Sequence, residues 1–89
     1  GILASSNEGI SIHPNPTNGM VTLESSLQTD IVQLSVFDLH GREVAKRIEP
    51  NSPKIIINLQ EMGMEPGVYI IHVETAIGMN VVRIILSNN

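Results

Sequence analysis

From Ile10 onward the chain alternates short runs of Ile, Val and Leu with breaks made of Gly, Pro, Asn and Asp. Runs of β-branched residues bounded by turn formers are the pattern of strands, and a series of them predicts an all-β sandwich or barrel. Seven strands are expected. The first is Ile10 to His13. In the second, Met20 to Glu24, Val21 and Leu23 alternate with Met20, Thr22 and Glu24. The third, Ile31 to Leu39, sets Val32, Leu34 and Val36 on one face against Gln33 and Ser35, and that face is expected in the core. A tight reversal at His40-Gly41 returns the chain as a polar fourth strand, Arg42 to Ile48, and "EPNSP" reads as a loop.

The fifth strand, Lys54 to Leu59, turns Ile55, Ile57 and Leu59 one way and Ile56 the other. "QEMGMEPG" is a short turn into the sixth strand, Val68 to Thr75. "AIGMN" reads as the last turn, before a seventh strand Val81 to Leu86 that is apolar on both faces. No window of a dozen residues carries a helical stripe uninterrupted by Gly or Pro.

The stretch "IHPNPTNGMVTLES" stands apart. Pro14 and Pro16 fix φ and lack an N–H, while His13 and Asn15, each before a proline, are pushed toward extended conformations. The segment "HPNP" therefore reads as a stiff extended strut unable to pair as a central strand. Asn18-Gly19 then offers the place where positive φ costs little, and the chain turns there. "PNPTNG" is too long for a two-residue hairpin, which suggests a crossing between sheets.

Composition narrows the function classes. With 89 residues the chain is one domain, large enough to bury roughly 60 to 65% of its unfolded surface in a single core. Absence of cysteine excludes a disulfide scaffold, a thiolate metal site and a cysteine nucleophile. Net charge is −4, and Arg42, Lys46, Arg47, Lys54 and Arg83 are thinly spread, which argues against nucleic acid as a partner. No apolar run is long enough for a transmembrane segment, and "GILASSNEG" lacks the basic and apolar regions of a signal peptide. If the domain leaves the cytoplasm, the signal for it lies elsewhere, and the opening, residues 1–9, reads as a linker.

Candidate chemistry is sparse. His13, His40 and His72 fall on different elements without ligand spacing, no serine sits in a G-x-S-x-G elbow, and Asp30 and Asp38 lack the rest of a calcium loop. No catalytic residue, metal site or cofactor is expected. Carbohydrate stacking would need Tyr69 or Phe37, the two aromatic rings. Tyr69, shortly after Gly67, fits a tyrosine corner, and Phe37 is expected in the core or between sheets.

In order, the marks "IHPNPTNGMVTL", "LSVFDLHGREV", "INLQEM", "PGVYIIHV" and "VVRIIL" resemble the type A C-terminal sorting domain of the type IX secretion system of Bacteroidetes bacteria, over Ile10 to Leu86. Each mark is weak alone, and five in order and spacing are specific. The resemblance implies a seven-stranded immunoglobulin-like antiparallel β-sandwich over residues 10–89, behind an N-terminal cargo domain. It implies no enzyme but an address, read at the outer-membrane translocon, with a surface sortase cutting before the domain and the cargo ending secreted or on the cell surface. The motif positions it singles out for recognition are Pro14, Asn15, Pro16, Gly19, Asp38, Gly41, Gly67, Tyr69 and Arg83. The family's last strand commonly carries Lys or Arg near its end, whereas Arg83 is the one basic residue there in this chain. Val81, Val82, Ile84, Ile85 and Leu86 form the expected partner strand, at a sheet edge open to β-augmentation or to strand exchange in a dimer. The alternative reading is a fibronectin-like or carbohydrate-binding accessory domain of a secreted enzyme.

Overall fold

The computed structural model describes residues 9–26 and 28–87, apart from the side chains at 48–50. Except for Gly9, the expected linker lies outside them. Among the described residues seven strands form: β1 (Ile10–His13), β2 (Met20–Ser25), β3 (Ile31–Phe37), β4 (Glu43–Ser52), β5 (Lys54–Asn58), β6 (Gly67–Thr75) and β7 (Gly78–Leu86). One antiparallel sheet has the order β1-β2-β5 and the other β4-β3-β6-β7. This is the immunoglobulin-like sandwich, with β4 paired to the sheet of β3.

The core lies between the sheets. Val21, Leu23, Ile55 and Ile57 from the first meet Leu34, Val36, Ile71, Val73, Val82 and Ile84 from the second, all buried. Alternation along each strand puts these side chains on one face, and each such burial contributes about 1.5–3 kcal/mol. Ile56, opposite its buried neighbours in β5, is 56% exposed.

Several boundaries and one facing depart from the sequence reading: β2 ends one residue late at Ser25, β4 begins one late at Glu43 and β5 ends one early at Asn58, and the larger departures follow. β3 stops at Phe37 because Asp38 already belongs to the turn. "EPNSP" is no loop: β4 runs through it to Ser52, with Asn51 taking the left-handed φ of 58° that asparagine tolerates. Of "AIGMN", Ala76 and Ile77 alone make the turn, and Gly78–Asn80 pair with Val73–Thr75. β6 starts one residue early, at Gly67. In β3 a register shift between Ile31 and Gln33, against both β4 and β6, turns Val32 out of sequence with its neighbours. Ile31 therefore joins Leu34 and Val36 in the core, and Val32 is half-buried instead.

Candidate functional site

Every turn among the described residues falls at one of two poles, since all sheet pairings are antiparallel. One pole gathers the 14–19 loop, the 38–42 turn, the 59–66 loop and the end of β7; the other gathers Gly9, the turn after Ser25, the β4–β5 link at Pro53 and the Ala76-Ile77 turn. Pro14, Asn15, Pro16, Gly19, Asp38, Gly41 and Gly67 all lie at the first pole, with Tyr69 near the start of β6 and Arg83 farther from it, in the body of β7 opposite Ile70. Seven of the nine motif residues, scattered over the sequence, thus occupy one end of the sandwich. Gly9, where preceding chain joins, is at the other.

The strut is not a free extended rod. His13-Pro14 and Asn15-Pro16 are cis peptide bonds, and the segment leaves β1 to dock on the outward edge of β7 before returning to β2 in the first sheet. It crosses to the opposite sheet and comes back, so the expected crossing is made by a loop between neighbouring strands. The Asn15 carboxamide donates from Nδ2 to the Arg83 carbonyl at 2.8 Å and accepts at Oδ1 the Ile85 N–H at 3.1 Å. The Thr17 N–H donates to the Ile85 carbonyl at 2.9 Å, and the Ser87 N–H donates to the Thr17 carbonyl at 2.7 Å. A parallel bridge between Thr17 and Leu86 results.

Thr17 is the residue that sequence reading missed. Its hydroxyl accepts the Gly19 N–H at 3.0 Å and donates to the Met20 carbonyl at 2.7 Å, folding the chain into its corner. A threonine two residues before a glycine is the signature of such a side-chain turn, and was the available signal. Gly19 itself has φ of 152°, and a Cβ there would meet Gln60 Cδ at 3.4 Å. The 59–66 loop is joined to this corner: the Leu59 N–H donates to the Gly19 carbonyl, and Gln60 Nε2 to the Asn18 carbonyl at 2.7 Å. Asn58 Oδ1 accepts the N–H groups of Gln60 and Glu61 and so starts that loop.

Asp38 closes the neighbouring turn. Its Oδ1 accepts the N–H groups of His40 and Arg42, and its Oδ2 accepts Arg42 Nε at 2.9 Å. The Arg42 N–H, with the guanidinium and the His40 N–H behind it, outweighs the partial burial and holds the carboxyl below its ordinary 3.8. Gly41 takes φ of 84° in the same turn, as expected of it. Tyr69 makes the tyrosine corner: its ring is buried and its hydroxyl donates to the Glu65 carbonyl at 2.5 Å.

Two expectations need correction. Phe37 is not in the core; it lies half-buried on the outer face of the four-stranded sheet, its ring 4.7 Å from that of His72. Val36 already fills the inward position, and alternation sends Phe37 outward. The edge of β7 is also not open along Val81 to Leu86, since Asn15 and Thr17 occupy the outward groups from the Arg83 carbonyl to the Ser87 N–H. Val82, Ile84 and Leu86 face the core, while Val81 and Ile85 are half-buried on the outer face. The histidines stay apart on β1, the 38–42 turn and β6, and no group of metal-ligating side chains forms among the described residues. No helix is long and apolar enough to cross a membrane among these residues.

A family model described as "Secretion system C-terminal sorting domain" matches residues 11–87. No curated protein matches the chain.

Proposed function

We infer the role of this chain from its membership, over residues 11–87, of the family of secretion system C-terminal sorting domains, to which it belongs. The family supplies type IX sorting signals, is not an enzyme family, and implies export together with a preceding cargo. The finer reading is ours: the pole built from the 14–19, 38–42 and 59–66 loops is the face read at the outer-membrane translocon, and the domain itself performs no catalysis. A surface sortase then cuts ahead of Ile10, in the expected linker, and leaves the cargo secreted or on the cell surface.

One observation carries this reading. Pro14, Asn15, Pro16, Gly19, Asp38, Gly41 and Gly67 share a pole, and Gly9 lies at the opposite one, so the point where a preceding cargo joins is away from that face. Rigid presentation supports it further, because Asn15, Thr17, Gly19, Asp38 and Tyr69 each fix a loop by hydrogen bonds or backbone geometry. Of the expected partner strand, the edge from Arg83 onward is taken by Asn15 and Thr17, so the loops of the motif pole and not a strand edge form the face proposed here.

The carbohydrate-binding alternative is disfavoured by the fate of its rings. Tyr69 is buried in its corner and Phe37 is packed against His72, so neither offers a flat exposed platform. The test is a reporter fused ahead of the domain and exported in a type IX-competent host. Charge reversal at the motif pole, Glu61→Lys with Glu65→Lys, is expected to lower surface display severalfold, whereas Ile77→Arg at the far pole is expected to leave it unchanged. Equal effects from both poles would refute the assignment of the face.

A further inference from the structure

The outward edge of β7 ends under a piece of chain that is 68 to 70 positions away in sequence. Edge strands are commonly blunted by a charge, a proline or a bulge. Here the cover imitates a strand. The Asn15 carboxamide offers one N–H and one C=O side by side, the same pair a backbone residue offers to a ladder, and it spends them on the Arg83 carbonyl and the Ile85 N–H. Thr17 continues the imitation with its own backbone, toward the Ile85 carbonyl and the Ser87 N–H. Between them Pro16 has no N–H to leave unpaired. The same Thr17 then shapes the Gly19 corner through its hydroxyl, and that corner holds the 59–66 loop through Leu59 and Gln60. A continuous series of hydrogen bonds therefore runs from β7 to the loops of the motif pole.

We propose that Asn15 to Thr17 is a latch through which β7 shapes the motif pole: the strut takes its seat, and the Gly19 corner its form, once Arg83 to Ser87 lie against β6. Local turns such as Asp38 to Arg42 need no distant strand. The strut does, and contacts of this sequence separation form only after the closure entropy of the intervening chain has been met. Combined with the sorting role, on which this consequence rests, the latch makes the address legible only in a domain whose seventh strand has folded. Asn15 is in this sense a positioning residue, since its side chain faces β7 and fixes the shape that neighbouring residues present.

Amide hydrogen exchange on the intact domain reads the latch without any secretion machinery. Two variants are compared with the parent: Asn15→Leu, which keeps the side chain's size and removes both hydrogen bonds, and a chain stopped after Leu86, which removes the Ser87 N–H. The expected result is at least tenfold faster exchange at Thr17 and Gly19 in both, at Ile85 in Asn15→Leu, and unchanged exchange at Leu34 and Ile71. Parent-like protection of Thr17 and Gly19 in either variant would overturn the proposal, because a bond that the latch is held to require would then be dispensable. Uniform loss of protection at Leu34 and Ile71 in both would overturn it too, since the contact would be part of the global fold and not a separable device. Either failure leaves the sorting role standing, and a parent fusion that is never exported would remove the sorting role and leave the latch.

Discussion

Thr17 is 2% exposed, yet its N–H, its carbonyl and its hydroxyl all have partners. Replacing it with valine keeps the shape and strands the Gly19 N–H and the Met20 carbonyl, at a cost of about 1–3 kcal/mol measured as a lower denaturation midpoint. Gly19→Ala forces a side chain into a φ that L-residues avoid and against Gln60, with a loss of similar order, about 1–3 kcal/mol. At Asp38 the sign follows from proton linkage. Its folded-state pKa lies below the ordinary 3.8 of the unfolded chain, so the unfolded state binds more protons in the window between the two values. The stability it contributes is fully present above 3.8 and fades as pH falls through the lower, folded value. Asp38→Asn is expected to lower the melting temperature at neutral pH, with the gap from the parent narrowing below pH 3.8, as thermal scans across pH would record.

At the level of elements, alternation carried most of the fold. Ile55, Ile57 and Leu59 inward with Ile56 outward, and Gly41 in its turn, were legible because each follows from a local rule about period or φ. What stayed hidden was decided by neighbours. The shift that exchanges Val32 for Ile31 is a matter of pairing with two flanking strands, and no local pattern records it. The continuation of β4 through Asn51 likewise reflects its pairing, with Ile31 opposite Ser52. Proline and asparagine in "EPNSP" announce a break that an edge strand absorbs. For the candidate site, the motif positions were visible one by one, while their gathering at one pole and the docking of Asn15 on β7 are products of the folded chain. These assignments have a simple check: Ile71→Ala, from the core, is expected to cost about 2–5 kcal/mol, and Ile56→Lys, from an exposed edge, less than about 0.5 kcal/mol, in chemical denaturation.

Across the whole molecule, two sheets enclose one core within extents of 32 × 31 × 23 Å and a radius of gyration of 12.1 Å, the value of about 12 Å expected for a domain of this length. Within that small body the loops divide between an end that carries the motifs and an end that receives the preceding chain. On the proposed reading, this division separates the face to be read from the point where a cargo joins. A reporter joined ahead of Ser5 and carried by Ser5 to Asn89 tests it most directly, through the fraction displayed at the surface of hosts with and without an intact type IX translocon. The sorting role predicts surface display in the competent host and periplasmic retention in the other. Retention in both, or display in both, would contradict it.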